Sequence, residues 1–346
     1  MGINIYIDEA YDNNGSTVMS LGAILTRGLV FYSELSIEEL LSMFKGWHPE
    51  RYHAFVNLKG EDLFIEVRKE KYKDTVKARI IPSPINGFYI GFSKISGAEL
   101  RNILKPFFKK YYPDISRVFF NTYELFMILR HIEQVADQAT IIIDKYVAYE
   151  TLLYEAKEKR SEVTYTGEDY QSVFERSISE GKRLDKITFT VYIREKPFLI
   201  GRICRDGEFA CTNFEEFSRL CLLKMIKLAL EKRRKLSNRS REISVSPKPL
   251  TIRYDQNLFW NKISLKEVVK LLTNYSKASV GINHANPFLH AELVDYSDGS
   301  SFEIIIASPN SIKIIPQIRS TPDALSRIIE YLSEKFGEGE ITYDAQ

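Results

Sequence analysis

The run Ile3-Asn4-Ile5-Tyr6-Ile7-Asp8-Glu9-Ala10 opens the chain as an apolar, β-branched stretch that stops abruptly at two carboxylates. A second such run, Val18 to Leu25, follows the turn-prone residues Asp12-Asn13-Asn14-Gly15-Ser16. Two strand-like runs joined in this way read as a β-hairpin. Residues 3 to 7 are almost wholly apolar, so the first strand is expected at the centre of a sheet, covered on both faces. Asp8 emerges at that strand's end, where a rigid scaffold holds a charge at a cleft. Glu9 alternates to the opposite face.

The same plan recurs downstream. Ala139-Thr140-Ile141-Ile142-Ile143-Asp144 is again a buried-strand run closed by an aspartate, and the helix-like segment Val118 to Val135 ahead of it carries Glu124. This order resembles the ribonuclease H-like fold: a carboxylate on the first strand, hairpin strands, a helix with Glu, then a strand ending in Asp. Tyr6-Ile7-Asp8-Glu9-Ala10 followed by Ser20-Leu21-Gly22-Ala23-Ile24-Leu25 is similar, more narrowly, to an uncharacterised family of that superfamily with a YIDESG-type first strand and an LGGVIV-type second. The resemblance covers residues 1–210. It implies an α/β fold, a mixed sheet flanked by helices, with strands 3–8 and 139–144 parallel neighbours and 17–26 antiparallel beside the first. The family's last acidic motif, an LQLADL-type helix, has its nearest counterpart in Leu199-Ile200-Gly201-Arg202-Ile203-Cys204-Arg205-Asp206, which departs from it.

The resemblance implies a metal-dependent nuclease acting on DNA or RNA. Asp8, Glu124 and Asp144 would hold Mg2+ or Mn2+ through oxygen ligands, with Asp206 as a fourth catalytic carboxylate. Two such ions activate a water and stabilise the leaving oxygen in phosphodiester hydrolysis. The alternative is a non-catalytic nucleic-acid- or protein-binding module on a degenerate nuclease fold. P-loop, zinc-protease, nucleophile-elbow and Rossmann glycine patterns are absent from the sequence.

Composition sets the bounds. The chain has 346 residues, 44% of them hydrophobic, enough for substantial cores and two domains. No run approaches the roughly 20 apolar residues of a membrane span, so no membrane partner is expected. The three cysteines lack a C-x-x-C spacing and cannot all pair, and no secretory signal plan opens the chain. A cytoplasmic location is the expectation. Formal charge is only +2, so attraction to nucleic acid must come from local clustering.

Such clusters exist. Six of the ten residues from Lys232 to Arg241 are basic and none is acidic. Lys232, Arg233, Arg234, Lys235, Arg239 and Arg241 are therefore candidates for phosphate contacts, against the plainer reading of a solvated linker. Lys105-Pro106-Phe107-Phe108-Lys109-Lys110-Tyr111-Tyr112 interleaves lysines with aromatics, which suits phosphates and stacked bases. Helical spacing of Phe107, Phe108 and Tyr111 argues instead for core. His53, in a loop beside the first helix, is a weaker site candidate than an ordinary hydrogen-bonded histidine.

Local signals place the other elements. Ser36 three residues before Glu39 reads as a capping-box helix start. Asn213 caps a long amphipathic helix to Leu236, and Pro247-Lys248-Pro249 marks a boundary between a first domain, 1–242, and a second, 243–346. The second domain reads as a small α+β module: a strand at 250–254, a helix at 264–275, strands at 288–295, 301–307 and 311–317, and a last helix from Thr321 to Phe336. A role in dimerisation or in binding a protein partner suits such a module.

Overall fold

The computed structural model describes residues 26–47, 52–69, 75–93, 105–150, 162–237, 248–260, 263–275, 278–317 and 319–343. The hairpin read around Asp8 lies outside the described residues. Eleven strands form the first sheet: β1 (Thr26–Ser33), β2 (Tyr52–Lys59), β3 (Asp62–Lys69), β4 (Thr75–Pro82), β5 (Phe88–Ser93), β6 (Ile115–Arg117), β7 (Ala139–Glu150), β8 (Glu162–Asp169), β9 (Lys182–Ile193), β10 (Lys196–Cys204) and β11 (Glu208–Cys211). Their order is β2-β3-β4-β5-β1-β11-β10-β9-β7-β8, with β6 branching from β1.

Alternation along β1 explains why this sheet is covered on both faces. Leu29 and Phe31 point into one core, with α1 (Ile37–Lys45) and α2 (Lys105–Lys110). Val30 points into the opposite core, with α3 (Thr122–Val135), α4 (Tyr170–Ser179) and the helix begun by α5 (Phe214–Phe217). A π-helical turn, Ser218–Leu222, carries that helix on into α6 (Leu223–Ser237). The expected cap is present, since the side chain of Asn213 accepts from the backbone N–H of Glu216. Ser36 and Glu39 likewise form both halves of their capping box.

This is not the ribonuclease H-like mixed sheet flanked by helices that the sequence led us to expect. Every ladder between the named strands of the large sheet is antiparallel. β7 does not stop at Asp144. It continues to Glu150, antiparallel to both β8 and β9, with irregularities on either side of Asp144. Tyr146 and Ala148 keep the buried alternation going, and a hydrogen bond from Thr190 accommodates the aspartate mid-strand. Residues 162–179 hold β8 and α4.

A second sheet has six antiparallel strands in the order β13-β14-β15-β16-β12-β17. They are β12 (Leu250–Arg253), β13 (Ala278–His284), β14 (Leu289–Asp295), β15 (Ser301–Ser308), β16 (Ser311–Pro316) and β17 (Glu340–Tyr343). One face packs on α7 (Leu265–Thr273) and α8 (Pro322–Phe336), and Leu236 from the end of α6 joins that core. Thr321 caps α8, its side chain accepting from the Ala324 N–H. No helix among the described residues is long and apolar enough to cross a membrane.

The two sheets meet through a few charged contacts. The side chain of Arg205, 4% exposed, donates to Glu338 at 2.5 Å. Both oxygens of Glu338 also accept from the backbone N–H of Thr122, at 2.8 and 3.1 Å, so Glu338 helps satisfy the N-terminus of α3. Removing one partner of a buried pair leaves an uncompensated charge. Glu338→Ala should therefore cost about 3 kcal/mol in denaturant unfolding. Replacing both side chains, Arg205→Met with Glu338→Met, should cost less than that single change.

Candidate nucleic-acid interface

Among the described residues, each carboxylate that the sequence suggested as a site residue has protein partners of its own. Asp144 is half-buried on β7, where Thr190 Oγ1 donates to its Oδ2 at 2.9 Å. Burial pushes its carboxyl up, opposed by that hydrogen bond and by Lys145. Glu124 sits at the third position of α3. Its Oε2 accepts from the backbone N–H of Asn121 at 2.8 Å and from Lys232 Nζ at 2.6 Å. It is thereby a helix cap with an ammonium partner. Asp206 lies in the β10–β11 turn and meets Lys105 and Arg117 at 3.4 and 3.3 Å. Asp8 is outside the described residues.

One group among the described residues has metal-ligand spacing: ligand atoms of Cys204, Asp206 and Glu208 lie within 4.8 Å of one another. Its chemistry does not suit Mg2+ or Mn2+. Burial, with Asp206 adding, pushes the Cys204 thiol far up, so it is held protonated, and it is a soft ligand in any case. Glu208 pairs with Lys105, and Asp206 pairs with Lys105 and Arg117. A cation would have to displace an ammonium already in place. The oxygen-rich set that those ions require is therefore not assembled among the described residues.

The basic tract divides. Lys232 is turned inward, donating to the Phe119 carbonyl at 2.5 Å as well as to Glu124. Arg233 pairs with Asp323 at 2.7 Å and with Glu34 at 3.3 Å, and its guanidinium lies 3.4 Å over the Tyr32 ring. Both tie α6 to its surroundings. Arg234 and Lys235 are exposed in the helix's last turn. Arg239 and Arg241 lie outside the described residues, as does the side chain of His53.

A groove of about 920 Å3 separates α2 and β6 on the large sheet from α8 and the Tyr275 and Ser297 loops on the small one. Its walls carry Lys105, Lys109, Lys110, Arg117 and Arg327 against Asp323 and Glu330. Phe107 and Phe108 are fully inside the core, in line with the core reading of that stretch. Burying each contributes about 1.5–3 kcal/mol, and a ring committed to the core is not offered to a ligand. The intervening lysines are left outside. Lys109 and Lys110 are exposed and meet no carboxylate among the described residues, and Lys110 Nζ rests 5.0 Å over the Tyr111 ring.

Pairs also cross between the two walls. The Arg327 guanidinium lies 3.9 Å over the Tyr112 ring and pairs with Asp295. Tyr112 and Tyr275 hydroxyls donate to Asp298 and Asp295, each at 3.4 Å. Sequence reasoning missed Arg117, Arg327, Tyr275 and Glu330. Only their convergence from distant elements marks them, and no local motif does.

Compared with models of known protein families and with curated proteins, the chain matches none.

Glu330 faces the groove, and burial pushes its carboxyl up; Glu334 and Asp206 add to the shift, while Arg117 and Arg205 oppose it. A carboxyl raised in the folded state contributes stability below its unfolded pKa and loses it as pH rises through the folded value. Glu330→Gln should therefore raise the melting temperature more at about pH 8 than at about pH 4, where the wild-type carboxyl is largely protonated already. Thermal unfolding at both pH values measures the difference.

Proposed function

We propose that this protein binds the phosphate backbone of single-stranded nucleic acid along the groove between its two sheets. The observation that carries the reading is the cationic wall on α2. Lys109 and Lys110 stand exposed, without carboxylate partners among the described residues. Surface cations that meet a polyanion release its condensed counterions and give affinity without reading sequence. The groove's volume lies within the range of small-ligand clefts, which suits a short stretch of single strand better than a duplex.

Binding is favoured over metal-dependent hydrolysis by the fate of the carboxylates. Glu124 caps a helix, Asp206 neutralises Lys105 and Arg117, and Asp144 bonds to Thr190. The exposed end of α6, Arg234 and Lys235, supplies a second set of cations for a longer strand.

Fluorescence anisotropy with labelled single- and double-stranded oligonucleotides, with Mg2+ or with chelator, tests the reading. Single strands should bind in either condition. In the double variant Lys109→Ala, Lys110→Ala, the slope of log affinity against log salt should flatten by about 1.4, that is about 0.7 per lost contact. Absence of binding, or an unchanged slope, would overturn the groove. Mg2+-dependent cleavage that disappears in both Asp8→Asn and Asp144→Asn would replace binding with nuclease activity.

A further inference from the structure

The open edges of the two sheets differ in chemistry. The large sheet ends on β2 and β8, the small one on β13 and β17. β2 carries Lys59, β8 carries Glu162, Glu168 and Asp169, and β17 carries Glu340. β13, Ala278-Ser279-Val280-Gly281-Ile282-Asn283-His284, has no acidic residue, lysine, arginine or proline. An edge strand presents unpaired N–H and C=O groups to any passing strand, and charges or prolines are the usual protection. Here that protection is missing. Among the described residues β13 pairs with β14 alone. Ile282 is 38% exposed, as is Phe288 nearby, whose ring lies 4.3 Å from that of His284.

We propose that a second copy of this chain pairs with β13, joining two small sheets into one continuous sheet across a two-fold axis. Identical strands that pair antiparallel are related by such an axis, and the interface is then self-complementary. A register centred on Gly281 sets Val280 of each copy opposite Ile282 of the other, and the register irregularity between Ile282 and His284 lies beyond that pair. Val280 and Ile282 lie on one face by the period of two, so this pairing covers the exposed Ile282 with an apolar partner. No like charges meet at the axis, whereas self-pairing of β8 or β17 would set carboxylates against carboxylates. A Cβ at Gly281 would meet nothing within 4 Å among the described residues, so a side chain is tolerated at the centre of this register. β13 contributes nothing to the groove lining, and the inference is independent of nucleic-acid binding.

Light scattering on the full chain over a concentration series should show a monomer–dimer equilibrium. Ile282→Lys, at an exposed position, should abolish the dimer while leaving circular dichroism and melting unchanged. Gly281→Cys supplies a separate readout. The native cysteines, Cys204, Cys211 and Cys221, are all buried, so oxidation should link two copies only through position 281. Facing Cα atoms about 4.5–5.5 Å apart are within the span of a disulfide. Gly167→Cys on β8, where a Cβ also meets nothing within 4 Å, is the control that should stay unlinked. A monomer at every concentration overturns the proposal. So does a dimer that survives Ile282→Lys while Gly281→Cys fails to cross-link more than the control. Each variant reads the interface by itself, so misfolding of one leaves the other decisive.

Discussion

One carboxylate, Glu338, fixes how the two sheets face each other. It follows the last helix of the small sheet, yet its oxygens are spent on the large one, taking the Thr122 N–H and the Arg205 guanidinium. Arg205 is buried, and its charge has to be answered where it lies; burial lowers its pKa and Glu338 raises it. A long-lived pair of this kind is a poor source of net stability, because both ions lose water. It is, however, a strict positional constraint, since any other arrangement strands a buried cation. The Arg233–Asp323 pair and the stacking of Arg327 on Tyr112 repeat the same logic along the junction.

Local rules were legible in the sequence to the extent that they are local. The capping box at Ser36 and Glu39, the Asn213 cap and the Thr321 start of α8 each need only three or four consecutive residues, and each is present. The same rule was available at Asn121 and Glu124, which form another capping box. The spacing of Glu124 from Asn121 thus gives that carboxylate a local structural role. β13 went unseen because Ser279, Gly281 and Asn283 have little strand propensity, and neighbouring β14 supplies the order that its own residues do not.

Strand direction was not legible at all. Ala139 to Ile143 is buried on alternate residues, and a parallel or an antiparallel neighbour would bury it equally well. What sets the direction is the partner: β9 returns from α4 through the tight Glu180–Gly181 turn and lies antiparallel along the whole of β7. That information sits some forty residues away, beyond β8 and α4. An apolar run closed by an aspartate is therefore compatible with two opposite topologies. In one the carboxylate crowns the strand beside another strand's end. In the other, which the chain adopts, the strand continues past it.

The distribution of charge follows from which cations were needed to build the molecule. Lys105, Arg205, Lys232 and Arg233 are paired inside the walls and junction, where losing a partner would leave a charge without water or counterion. Using any of them for a ligand would mean breaking an internal pair first, which offsets most of what a phosphate in its place would contribute. Lys109 and Lys110 face no such conflict. Their helix is anchored by Phe107 and Phe108 beneath it, so its backbone is fixed under the lysines. A polyanion meeting them sheds only its mobile counterions, which is the least costly exchange the surface offers. A sequence with a net charge of only +2 can thus present exposed lysines side by side, because its charges are distributed unevenly over the surface.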